Sequence, residues 1–299
     1  MTARIATIHY FPVKGLSAQP LQAVTLSPGE TLPHDRRFAI LHRATTFDPT
    51  EPAWKPKSNF LTLMRDEKLA TLEAVFDPAT CMLELRRAGK RVARGKIDTQ
   101  TGRLLIDQFL SAYMAGTSAP GPYKLAESPG HAFTDIPDKA VSLINLASAK
   151  DIERVTKAPV DPVRFRGNLL LDGLEPWAEN AWVGKRLTVG GTVLEVFQTI
   201  TRCAATEVNP ATGERDMNLL KALSSGFSHV VCGVYARVVE GGTVAVGTRS
   251  GWGEVFPVRQ RGAVNTDGTD KDRDIHGQTS CAFGAGGPCL PGRGCALPQ

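Results

Sequence analysis

In the run Ile200-Thr201-Arg202-Cys203-Ala204-Ala205-Thr206-Glu207-Val208-Asn209-Pro210 a thiol stands next to a guanidinium, directly after a segment that reads as a β-hairpin. A neighbouring positive charge favours thiolate over thiol, and thiolate is the form that attacks electrophiles and binds soft metals. Two readings compete for Cys203. As a small hydrophobe at a strand end it is inert, the common fate of a free cysteine. As a thiolate in an electropositive loop mouth it is a ligand or a nucleophile. The hydroxyls of Thr201 and Thr206 and the polar turn at 209–213 favour an accessible site. A nucleophile needs a base and an orienting acid, and nothing marks the nearby His229 as paired. A metal or cofactor ligand is the preferred reading.

A second constellation is basic. Lys14 lies in Tyr10-Phe11-Pro12-Val13-Lys14-Gly15, Arg36 and Arg37 in His34-Asp35-Arg36-Arg37-Phe38, and Arg164 and Arg166 in Val163-Arg164-Phe165-Arg166-Gly167-Asn168. Each group sits at the start or end of an expected strand, where loops can offer side chains and amides to a phosphate. Singly they read as solvated edge charges that discourage strand pairing. Only convergence would make them a site. Strand alternation over 164–171 would put Arg164 and Arg166 on one face, joined by the Asn168 amide.

The elements that must bring these residues together read as mainly β with a few short helices. Strands are expected at 4–10, 21–25, 37–42, 71–76 and 82–86, separated by Ser27-Pro28-Gly29, Asp48-Pro49 and Asp77-Pro78. A helix is expected over 103–114, capped by Thr101, and a second begins at Asn145 and ends near Pro159–Pro162. Pro176 suits the first turn of a short helix. Residues 186–189 and 192–196 form a hairpin about Gly190-Gly191, and 234–239 with 243–246 a second about Glu240-Gly241-Gly242. Between the hairpins a helix over 216–223 stops near Gly226. Many short antiparallel strands point to a barrel-like β domain. A loop-rich boundary at 117–140 divides the chain into a β-rich unit at 1–120 and a second at 121–248. Residues 249–299 read as a Gly- and Pro-rich disordered tail. The spacing of Cys281, Cys289 and Cys295 fits neither an iron–sulfur run nor a zinc ribbon.

The 299 residues, 42% hydrophobic and 22% charged, are enough for two packed domains. The net charge of +5 comes from dispersed Lys and Arg, which suits a phosphorylated small ligand at least as well as nucleic acid. Neither a nucleic-acid nor a membrane partner is expected. No segment has the apolar length of a membrane span, and the start lacks a signal-peptide core. Six cysteines are too few for a disulfide scaffold, which fits a cytoplasmic protein with free thiols. His9, His34, His42, His131 and His276 show no metal-ligand spacing. The glycine signatures of dinucleotide and P-loop sites and the Gly-x-Ser-x-Gly elbow are missing, which argues against a nucleotide-driven enzyme or a serine hydrolase.

Taken together, Tyr10-Phe-Pro-Val-Lys14-Gly, Asp35-Arg-Arg-Phe38, Arg164-Phe-Arg-Gly-Asn168, the Gly190-Gly191 hairpin, Arg202-Cys203-x-x-Thr206 with Asn209-Pro-x-Thr-Gly213, and Gly241-Gly-Thr-Val-x-Val-Gly247 resemble the MOSC-domain family over residues 4–248. Order and spacing match the branch of the amidoxime-reducing components and the carboxy-terminal domain of molybdenum-cofactor sulfurases. The resemblance implies an α+β, mainly β fold: a β-rich MOSC amino-terminal domain joined to a MOSC β-barrel, with a molybdenum pyranopterin between them. It places Cys203 as the molybdenum ligand, Lys14 and Arg37 at the cofactor phosphate, with Arg36 beside them. Arg166, Asn168, Thr201 and Arg202 would line the pterin, and Arg164 and Thr206 are counted with them as candidate cofactor-binding residues. This chain departs from the branch in having Gly15 where Ser is common and Gly167 where Pro is common.

The function so implied is an oxidoreductase that reduces N-hydroxylated or N-oxygenated small molecules. No fused ferredoxin follows, so the expected electron donor is a separate flavin or iron–sulfur protein. The alternative is a cofactor or sulfur carrier using a Cys203 persulfide without turnover of its own. Pyridoxal phosphate, a family-level association, has no domain in this chain, and the sulfur would come from a partner.

Overall fold

The computed structural model describes residues 3–249, except 44, 49, 51–53, 118–120 and 129, together with 256 and 257. The tail and the reading of Cys281, Cys289 and Cys295 lie outside the described residues, apart from Arg249 and a two-residue strand. In chain order come β1 (Arg4–Tyr10), β2 (Gln19–Leu21), β3 (Ala23–Leu26), β4 (Phe38–Leu41), β5 (Glu73–Asp77), β6 (Met82–Arg87) and β7 (Lys90–Lys96), then α1 (Gln100–Tyr113). There follow β8 (Lys124–Glu127), β9 (Val141–Asn145), α2 (Leu146–Thr156), β10 (Leu169–Asp172), β11 (Lys185–Val189), β12 (Thr192–Thr201), α3 (Leu219–Phe227), β13 (Val231–Glu240), β14 (Gly242–Ala245) and β15 (Phe256–Pro257). The protein is mainly β, as its strand pattern predicts.

Eight strands make the principal sheet, in the order β15-β11-β12-β13-β9-β10-β1-β2, and all neighbours are antiparallel except β9 and β10. The first strand of the chain therefore lies beside β10, and this sheet crosses the boundary expected near residue 120. The described residues cluster as one compact unit. A bulge between Ile5 and Thr7 lets Ile5 and Ile8, three apart, both face the core.

The two faces of the sheet's centre serve two cores, following the period-two alternation of strand side chains. Leu143, Leu169, Leu171, Val234 and Ala236 join the large core shared with the first half of the chain. Ile144 and Leu170, alternating with these along β9 and β10, face a smaller core under α2 and α3 with Ile152, Phe165, Leu219 and Leu223. Cys232 joins it because an irregularity in the β12–β13 register breaks the alternation with Val234. Strand β9 is buried throughout, as expected of a strand paired in parallel and covered on both sides. Its sequence, Val-Ser-Leu-Ile-Asn, is buried at every position including the polar ones, which hides it from a search for alternation.

Several expected elements are corrected. Residues 164–167 are not strand: Pro162–Phe165 is a 3-10 turn capped by Asp161, whose carboxylate accepts from Val163 N at 2.9 Å, and strand begins only at Leu169. The helix at 103–114 starts earlier, with Thr99 rather than Thr101 accepting from Gly102 N. The third helix is capped by Asn218 and passes through Gly226, which packs against Val155, to end at Ser228 in the left-handed region. The second hairpin does not form. After Glu240 the chain leaves β13, and β14 pairs with β3 instead. Gly241 permits this because a Cβ there would meet Leu26 O at 2.7 Å. The Gly190-Gly191 hairpin does form, with Val189 opposite Thr192 and Gly190 at φ 59°.

Candidate cofactor site

A cavity of about 300 Å³ opens where the end of β12, the start of β9 and loops from the first half of the chain meet. It brings together nearly all the residues singled out from sequence: Lys14 and Arg36, Arg164, Arg166 and Asn168, and the run 201–203 with Thr206 all line it. Arg37 does not. Its guanidinium pairs with Glu127 at 2.6 Å and lies over the Phe38 and Phe76 rings. Arg36 takes a left-handed φ of 48° and turns inward, whereas Arg37 leads into β4 on the other side.

Backbone contacts set each cation. Lys14 N donates to Phe38 O at 2.8 Å, and Phe38 N to Pro12 O at 3.0 Å, so the 12–14 segment runs against β4. Lys14 is 6% exposed, and its ammonium donates to Phe133 O at 3.0 Å and to the Asp135 carboxylate. Arg36 pairs with Asp35, which also accepts from Phe11 N at 2.8 Å, and donates to Arg166 O at 2.9 Å. Arg166, in the left-handed region at φ 51°, donates to Leu16 O at 2.8 Å. Both guanidiniums lie over the Phe11 ring.

Cys203 begins the turn Ala204–Glu207, and its carbonyl accepts from Thr206 N and Thr206 Oγ1, each at 3.0 Å. The neighbouring Arg202 is anchored by carbonyls, donating to Phe165 O and Cys232 O at 2.8 Å each. Arg164 braces the same turn from outside. It makes two bonds to Asp216, at 2.7 and 2.8 Å, and reaches the Glu207 carbonyl at 3.3 Å. The Asn209-Pro-x-Thr-Gly motif is a prop: Asn209 Oδ1 accepts from Ala211 N, and Asn209 Nδ2 donates to Asp216. Asn168 braces as well, its amide engaged by Ser142 and by the His9 carbonyl.

Charge in the cavity is unbalanced. Lys14, Arg36, Arg166 and Arg202 face two carboxylates, Asp35 and Asp135. Burial and the Arg36 charge push Arg166 down to about 9, and burial also lowers Lys14 and Arg202. Burial opposes the Asp135 charge, but the Lys14 ammonium and its hydrogen bond, with Arg36, hold that group down at about 2. Arg166 Nη2 is buried without a hydrogen-bond partner. Cations in excess, one buried and three partly buried, one of these with a buried idle donor, fit a multiply charged anion such as a phosphate monoester. Cys203 and Tyr235 line the same cavity. Arg166, Arg202 and Tyr235 all lie close enough to Cys203 to interact with it electrostatically.

Sequence reading missed Asp135, Tyr235 and Arg215. Asp135 lies in the segment read as a boundary, and Tyr235 inside a strand read only for its turn. Arg215 donates to Ala204 O at 2.9 Å, Leu63 O at 3.0 Å and Met64 O at 2.9 Å, clamping the Cys203 turn to the 62–64 wall. No local signal distinguishes it from a solvated charge.

The fold and cavity define a mainly β protein with a cation-lined cavity that ends at a cysteine. Residues 129–249 match the family model described as MOSC domain. It is similar to the molybdenum cofactor sulfurase of Caenorhabditis briggsae, 28% identical over 246 residues that cover 78% of this chain and 33% of that protein. It is also similar to the molybdenum cofactor sulfurase of Caenorhabditis elegans, 36% identical over 104 residues that cover 33% of this chain and 14% of that protein. The chain thus spans a third or less of these relatives. Among solved structures it is similar to the YuaD protein from Bacillus subtilis, with TM-score 0.43, 11% identity and coverage of 83% of this chain and 94% of that one. Among the described residues, no helix is long and apolar enough to cross a membrane.

Proposed function

We propose that the cavity holds a molybdenum pyranopterin and that the protein is a reductase of N-hydroxylated small molecules. The observation that carries this reading is the excess of buried and partly buried cations in a cavity lined also by a half-buried cysteine. Lys14, Arg36 and Arg166 would hold the cofactor's phosphate and Cys203 its metal, with Arg202, Thr201 and Asn168 along the pterin. When bound, the group supplies a metal able to exchange two electrons with substrate. The chain's own residues position and balance charge. Arg202, fixed by two carbonyls, and Arg166 place positive charge beside Cys203, while Asp135 occupies Lys14 until a stronger anion enters. Burial pushes the Tyr235 phenol up, so the cavity wall keeps a proton-bearing hydroxyl at neutral pH. Reducing an N-hydroxyl group consumes two electrons and two protons and releases water. A separate flavin or iron–sulfur protein would supply the electrons.

The test is metal analysis of freshly purified protein together with benzamidoxime reduction by an artificial donor. Stoichiometric molybdenum and turnover, both lost in Cys203→Ala, are expected. Wild-type turnover in that variant would sink the reading. A second reading rests on the names of the relatives: Cys203 would accept a sulfane sulfur from a partner persulfide, whose thiolate leaves, and pass it on. Mass spectrometry of Cys203 separates the two, because a protein-bound persulfide belongs only to the carrier.

A further inference from the structure

Thr62 has a buried hydroxyl without a hydrogen-bond partner, in a residue only 8% exposed that lines the cavity. Buried hydroxyls are rarely left unpaired, because desolvating them costs free energy that a hydrogen bond normally returns. The backbone of Thr62 is well occupied: its carbonyl accepts from Arg65 N and Asp66 N, each at 3.0 Å. The side chain is therefore held in place by a formed turn, with its oxygen idle.

Its position relative to the cations gives that idle oxygen a use. Gly15, at φ 87°, passes so close to this segment that an added Cβ would lie 3.0 Å from Leu61 O and 3.6 Å from Thr62 Cα. The preceding Lys14 ammonium lies over the ring of Phe60, 5.8 Å from its centroid. The following Leu16 carbonyl accepts from Arg166 Nη1 at 2.8 Å, and the other terminal nitrogen of that guanidinium is likewise a buried donor without a partner. Two idle donors from separate parts of the chain, Thr62 Oγ1 and Arg166 Nη2, thus belong to residues that both pack on the 14–16 run. Between them they supply one neutral and one charged donor, a mixture suited to the several oxygens of a phosphate.

We infer that Thr62 completes the phosphate end of the site by donating its hydroxyl to the bound anion, alongside Lys14 and Arg166. This rests on the reading of the cavity as an anion site, and extends it to a residue outside the basic motifs. A threonine kept only for its shape gives the opposite expectation, because valine has the same shape.

The test uses the full chain purified without cofactor, with inorganic phosphate as probe, binding being followed by calorimetry and by the phosphate-dependent rise in Tm. Thr62→Val is expected to weaken phosphate binding about tenfold or more, and Thr62→Ser to stay near wild type. Without phosphate, Thr62→Val is expected to melt at or above the wild-type temperature, since it removes a partnerless hydroxyl. A lower melting temperature there would reveal a structural partner and overturn the proposal. Unchanged phosphate affinity in Thr62→Val, with binding still abolished by Arg166→Met, would overturn the role of Thr62 and leave the anion site standing. Absence of phosphate binding by the wild type would overturn both.

Discussion

Asp135 and Cys203 carry the sharpest residue-scale expectations, because each lines the cavity beside its cations. Asp135 satisfies Lys14 but competes with any incoming anion. Asp135→Asn is expected to raise phosphate affinity roughly two- to fivefold, the range of a solvent-accessible ion pair, in a calorimetric titration. Its folded value of about 2 lies below the ordinary 3.8. A depressed carboxylate contributes stability above its unfolded value and loses it as pH falls through the folded one. Wild type should therefore lose more thermal stability than Asp135→Asn between about pH 4 and about pH 2, as followed by circular dichroism. Cysteine reactivity should divide in the same physical terms. Burial pushes the Cys232 thiol up to about 12, while Cys203 is half-buried at the cavity wall. Iodoacetamide at neutral pH should label Cys203 and leave Cys232 intact in peptide mass spectra. The Arg202-Cys203 pair was legible in the sequence because adjacency is covalent. Asp135 was not, because its meaning comes from a lysine 121 residues away.

Among the elements, close backbone approaches decide what the sequence pattern leaves open. Helix α1 crosses β7 at Gly102, where a Cβ would lie 2.0 Å from Lys96 O. Gly102→Ala should cost about 2–3 kcal/mol in urea unfolding, since the obstructing atom is backbone and cannot swing aside. The Cys203 turn depends on Arg215, whose guanidinium serves three carbonyls on two walls of the cavity. Arg215→Ala should lower stability by about 1–2 kcal/mol and speed alkylation of Cys203 relative to Cys81. Strands with alternating burial, such as β6, and the hairpin about Gly190 could be read directly, since period and turn chemistry are local. The 3-10 turn at Pro162–Phe165 was mistaken for strand because two arginines flanking a phenylalanine imitate alternation. The proline and the Asp161 cap were the better signal.

For the whole molecule, the decisive fact is that the matched domain does not own all of its sheet. Strand β10 is completed by β1, and β14 pairs with β3, both from the first 26 residues. A fragment of residues 129–249 would expose the β10 edge and lose Lys14 and Arg36 from the cavity. It should fail to give dispersed amide resonances, whereas the full chain should give them. By itself the sequence determined the mainly β class, the cysteine with its arginine, and the inventory of cations, because composition, strand period and adjacency are written residue by residue. Only the tertiary structure decided that Arg36 rather than Arg37 enters the cavity and that Arg164 is neutralised by Asp216. It also decided that Asp135 and Thr62 belong to the site. Those outcomes depend on which way a backbone turns at one φ and on contacts between segments far apart in the chain. The burial that makes an unpaired charge or hydroxyl consequential exists only once the two halves have folded onto one sheet.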